Sequence, residues 1–109
     1  EVVCCGAESV FVPYTDPGLK LAIAIKEGVE RFRDRRGELP RVILLGNHGA
    51  ITLGATANAV LGAMLMLRKM ADIWLGAAAL GGPIYLPAAE VERIAKRKDE
   101  HYRQRALNL

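Results

Sequence analysis

The sequence predicts an α/β fold, a mostly antiparallel sheet flanked by helices, from three observations. Val42-Ile43-Leu44-Leu45 is a short apolar run bounded by Pro40 and Gly46, and a second extended run follows it across a glycine-flanked turn. Residues 16–36 place apolar side chains at helical spacing. Residues 56–80 form a longer and far more apolar helical segment. Short β-branched runs read as strands, and recurrence every three to four positions reads as helix.

The bulk properties set limits. A chain of 109 residues is one domain at most, and with 51% apolar and 25% charged residues it is globular rather than disordered. The net charge of +3 is concentrated at 31–41 and 93–105, where acidic residues are interleaved with basic ones. That pattern is a solvated helix face. With only 6% aromatics and no basic stripe carrying stacking residues, nucleic acid is not an expected partner. The longest apolar run, residues 59–67, is far short of the roughly 20 residues of a membrane span. Cys4 and Cys5 are adjacent and form no disulfide framework, so they are expected as small buried strand residues of a reduced, cytoplasmic protein. The chain opens on Glu1-Val2-Val3 without a Met, and the expectation is a cut within a larger protein.

In order along the chain, the Val-rich residues 1–14, broken by Gly6, predict one or two short strands. Asp16-Pro17-Gly18 predicts a helix start, with Asp16 as cap and Pro17 in the first turn. Leu21, Ile25, Val29 and Phe32 form its apolar stripe, and Gly37 and Pro40 stop it. Residues 41–45 predict a strand buried on both faces. Gly46-Asn47-His48-Gly49 is a tight connection to a second strand at 50–53, together an antiparallel hairpin. Thr56 or Asn58 caps the long helix, whose apolar residues (Val60, Leu61, Met64, Leu65, Met66, Leu67) run nearly all round it. Such a helix must be buried on every side, by its own sheet and by a second subunit or further chain. Trp74 and the Met64-Met66-Met70 group are expected in the core or in a subunit interface. Gly81-Gly82-Pro83 ends the helix, residues 84–86 bridge, and Pro87 opens a polar surface helix with Val91, Ile94 and Ala95 inward. The Gly81-Gly82-Pro83 element has neither the Lys nor the Ser/Thr of a phosphate loop.

His48 is the residue that calls for chemistry. Its bulky ring serves neither the turn nor strand packing, and Asn47 and Gly49 leave it accessible at the end of a rigid strand. Neutral imidazole is the commonest nitrogen ligand for Zn²⁺. One histidine makes no metal site, and a ring that only hydrogen-bonds a backbone carbonyl remains the alternative.

Taken together, residues 2–94 are similar to the C-terminal half of the class II aldolase/adducin family. The blocks that carry the resemblance are Val12-Pro13-Tyr14 with Asp16-Pro17-Gly18, then residues 42–50 with their Asn-His-Gly element, then a small-residue helix ending near Gly81-Gly82-Pro83. The resemblance implies a three-layer α/β/α fold, of which residues 1–109 are the C-terminal part of a single domain. It also implies that His48 is the third zinc ligand, with Asn47 and Gly49 as the turn that holds it. A His-x-His pair and a catalytic Glu precede this region in the family and have no counterpart before His48, so the chain alone is expected to be inactive. The implied parent is a lyase of carbohydrate metabolism that uses Zn²⁺, or another divalent metal, in retro-aldol cleavage of a small sugar or sugar phosphate. The implied assembly is a homo-oligomer, a tetramer. A tyrosine from a neighbouring subunit's C-terminal tail commonly donates a proton in such aldolases, which makes Tyr102 the candidate for that role. A solvated or packing pair with His101 is the plainer reading of Tyr102. Tyr14 reads as packing or pocket wall. An epimerase or dehydratase on the same scaffold, or a non-catalytic adducin-like binding module, are the alternatives.

Overall fold

A computed structural model of the chain describes residues 2–107. Its elements run α1 (Val2–Cys5), β1 (Val10–Val12), α2 (Leu19–Arg36), β2 (Val42–Leu45), β3 (Gly49–Thr52), α3 (Ala57–Ala79), α4 (Ala88–Ala95) and α5 (Lys98–Ala106). The three strands form one mixed sheet in the order β1-β2-β3. β1 and β2 are parallel, and β2 and β3 form the expected antiparallel hairpin. The fold is therefore α/β with a small mixed sheet, which corrects the expectation of a mostly antiparallel one. The cause is α2, an 18-residue helix that carries the chain back along the sheet. A return of that length brings the next strand in parallel to the first.

The opening residues need a second correction. Instead of a strand, Val2–Cys5 is a single helical turn, closed by the Gly6 N–H donating to the Val2 carbonyl at 3.0 Å. The strand expected from Glu1 onward begins only at Val10, and Glu1 itself lies outside the described residues. Tertiary contacts outweigh the β preference of Val2 and Val3. Cys5 is buried with its Sγ 3.5 Å from the Ala63 carbonyl of α3, and the Val3 carbonyl accepts from Arg41 at 2.9 Å.

α2 follows its stripe. Phe32 is buried in one cluster with Val10, Val12 and Ile43, and Leu21, Ile25, Val29, Leu45, Ile51 and Leu53 pack around it. Paired register keeps these strand residues on the same face, since Val10 pairs with Ile43, Val12 with Leu45 and Ile43 with Ile51. The helix starts at Leu19 rather than at Pro17, and Asp16 is not its cap. Gly18, at φ 117 and ψ −148, takes the capping position in a conformation closed to other residues. Gly37 ends it as expected, its N–H donating to the Arg33 carbonyl at 2.8 Å.

The other face of the sheet is mostly uncovered. β2 is buried on both faces only at Val42 and Ile43, while Leu44 and the neighbouring Phe11 are exposed. α3 packs on α1 and β3 and buries just Ala59 and Ala63. Thr56 caps it as expected, accepting from the Ala59 N–H at 3.1 Å. Its apolar sides are open: Leu61 is 57% exposed, Leu65 60%, Ile73 55% and Trp74 49%. Trp74, Met64 and Met70 are thus exposed rather than core residues of this chain, and Met66 is half-buried. Trp74 donates to the Tyr85 hydroxyl at 2.7 Å and holds the 83–86 bridge alongside the helix.

The polar tail is two helices, not one. The break falls at Lys96 and Arg97, where Arg97 leaves helical geometry and its guanidinium bonds Asp99 at 2.9 and 2.6 Å. That pairing holds the Asp99 carboxyl below its usual range. α4 is tied to the end of α2 by Arg36 and Glu92 at 2.6 Å. The hydrogen bond from Arg36 lowers the Glu92 carboxyl, and the same bond raises the Arg36 guanidinium.

Candidate functional site

His48 stands at the C-terminal end of the parallel pair, where the segment leaving β1 and the turn leaving β2 lie side by side. The local backbone explains why. The Gly46 N–H donates to the Val12 carbonyl at 2.9 Å, extending the β1–β2 ladder past the strand ends. A Cβ on Gly46 would lie 2.8 Å from the Tyr14 nitrogen, closer than backbone can be approached, so only glycine lets the two segments meet. The His48 N–H then donates to the Leu45 carbonyl at 3.1 Å and closes a four-residue turn. Asn47 occupies its third position at φ 58, the left-handed conformation that a type II turn demands and that Asn tolerates. Gly49 follows at φ 125 and opens β3.

This turn presents the imidazole to two neighbours. His48 Nε2 lies 2.8 Å from the Thr15 carbonyl, and its ring stacks on Tyr14 with centroids 5.0 Å apart and planes 19° from parallel. The Tyr14 hydroxyl in turn donates to Asp16 at 3.4 Å. The Thr15 hydroxyl oxygen, next to the carbonyl that holds the histidine, is buried without a hydrogen-bond partner. Tyr14, expected as packing or pocket wall, is thus part of the site. Thr15 was not legible in the sequence, because it acts through its backbone, and no side-chain pattern marks a carbonyl.

A metal needs more than this. Among the described residues, no group of three or more His, Cys, Asp or Glu side chains converges on one point. The exposed His48 has the donor chemistry of one ligand, and the described residues do not complete a set. Its hydrogen bond to a carbonyl fits both readings left open above, since metal-bound histidines regularly donate their other nitrogen to such a group.

The tail candidates sit elsewhere. Gln104 of α5 donates to the Val3 carbonyl at 3.2 Å, and that oxygen also accepts from Arg41, which immediately precedes β2. α5 is therefore anchored at the N-terminal end of β2, and His48 lies beyond the C-terminal end. Tyr102 is 67% exposed on α5 and is not brought to His48 within one chain. His101 lines a cavity of about 140 Å³ with Arg36, Arg41, Glu100 and Gln104.

Residues 1–75 match the family described as the class II aldolase and adducin N-terminal domain. The match takes in the His48 turn and the segment that holds it, and it stops short of Gly81-Gly82-Pro83 and of the tail. No curated protein and no solved structure matches the chain. No helix among the described residues is long and apolar enough to cross a membrane.

Proposed function

The chain belongs to the class II aldolase/adducin family, and on that premise we propose that it is part of a zinc-dependent lyase that cleaves a small sugar or sugar phosphate by retro-aldol chemistry. The observation that carries the reading is His48, held by a carbonyl and a stacked ring at the carboxyl ends of two parallel strands. Ligand sites of α/β sheets favour that edge. His48 is one metal ligand, a histidine pair outside these residues completes the set of three, and a Glu outside them is the general base. Bound zinc supplies Lewis-acid polarisation of the substrate's hydroxyl and carbonyl oxygens. The work of this chain is to fix the direction of one imidazole, and alone it is inactive.

Two further parts of the proposal concern assembly. Because α5 is anchored at the far end of the sheet, Tyr102 can act as proton donor only from a neighbouring chain. The open apolar sides of α3 support a homo-oligomer, and the family resemblance makes it a tetramer. Thiols at Cys4 and Cys5 suit a reducing compartment, the cytoplasm.

The test is metal analysis of the native polypeptide that carries this chain, as wild type and as His48→Ala. Stoichiometric zinc that is lost in the variant, together with retro-aldol cleavage of ketose phosphates, is the expected result. Protein that binds no zinc and is unchanged by the substitution would instead be a non-catalytic binding module of the adducin kind.

A further inference from the structure

We propose that Tyr14 is a positioning residue for His48, a role that rests on the metal-ligand reading of that histidine. The Thr15 carbonyl can only accept, so the 2.8 Å contact places a proton on His48 Nε2. In the neutral ring the lone pair is then on Nδ1. A single hydrogen bond leaves an imidazole free to pivot about the line from nitrogen to oxygen. The Tyr14 ring removes that freedom by stacking at 5.0 Å and 19°.

Both constraints come from adjacent residues on one segment, and Gly46 is what lets that segment approach. Core packing does not account for Tyr14, which is 55% exposed. Its placement over the histidine does. A ligand imidazole held in one plane and one tautomer is ready for its metal without further ordering, and outer-shell partners of this kind typically contribute 10- to 100-fold in metal affinity. The stack needs the aromatic ring and not the hydroxyl, so Phe should replace Tyr14 and Ala should not.

The experiment is a long-range proton–nitrogen spectrum of the native polypeptide, ¹⁵N-labelled on histidine, without metal and above the usual histidine titration range. His48→Ala identifies the His48 signals. Wild type and Tyr14→Phe should show one protonated and one unprotonated ring nitrogen, the Nε2–H tautomer. In Tyr14→Ala the Nε2–H tautomer should persist, because Thr15 sets it, but the ring should pivot. With histidine also ¹³C-labelled, the relaxation order parameters of the His48 ring C–H groups should fall below those of wild type and Tyr14→Phe, and zinc affinity should fall by roughly tenfold. A Tyr14→Ala protein whose ring order parameters match wild type, or a wild type whose two nitrogens are already averaged, overturns the positioning role. Missing zinc beside an intact single tautomer overturns the metal reading alone.

Discussion

Gly46 and Asn47 decide whether His48 is presented at all, and each does so through its backbone. Gly46→Ala would press a Cβ against the Tyr14 nitrogen, an obstacle that no side-chain rotation relieves. Overpacking of this kind typically costs about 1–3 kcal/mol. The expected outcome is a loss of that size in denaturant unfolding, with a broken Thr15–His48 contact seen as an averaged His48 tautomer. Much of this turn was legible: Gly-Asn-His-Gly after an apolar strand predicts both the hairpin and an accessible ring. The partners of that ring were not, since Tyr14 and Thr15 are 34 and 33 positions away and meet His48 only once β1 and β2 pair.

Among the elements, the helices with an amphipathic stripe came out where periodicity put them, and the marginal ones did not. α2 buries the Phe32 stripe that its spacing foretold. α1 has too few residues to show a period, and its conformation follows from contacts with α3 and Arg41. The polar tail divides at Arg97 because a local ion pair with Asp99 competes with helix continuation. Its attachment to α2 depends on Arg36 and Glu92, which gives a pH prediction. The Glu92 carboxyl is lowered in the folded chain, so its stabilisation is present above the ordinary carboxylate range and is lost as pH falls through the lowered value. Glu92→Gln should therefore unfold at a lower temperature than wild type near neutrality. The gap should close below about pH 4, and thermal melts across that window measure it. A gap that persists in acid would assign the effect to packing instead.

At the scale of the whole molecule, the dominant feature is the apolar surface that this chain does not cover itself. Leu61 and Leu65 lie one turn apart on α3 and are both more than half exposed, and the sheet face away from α2 leaves Phe11 open. Exposed apolar surface of this extent marks an interaction site. Wild type is expected to sediment as an oligomer, and Leu61→Glu with Leu65→Glu should reduce it to a monomer of unchanged helix content. A double variant that keeps the wild-type sedimentation coefficient would place the contact elsewhere. The expectation that this helix is buried on every side came from its composition, and the partner that would bury it is not within these residues.

By itself, the sequence determined the hairpin and its turn, the stripe of α2, the span and Thr56 cap of α3, and the family to which residues 1–75 belong. These are properties of neighbouring residues, or of patterns repeated over a few turns. Only the tertiary structure decided that β1 and β2 run parallel, that Val2–Cys5 is helical, that Tyr14 and Thr15 hold His48, and that α5 is anchored at the other end of the sheet from it. Each of these depends on pairing between segments distant in the chain, where the energy comes from burial and hydrogen bonds that no local pattern encodes.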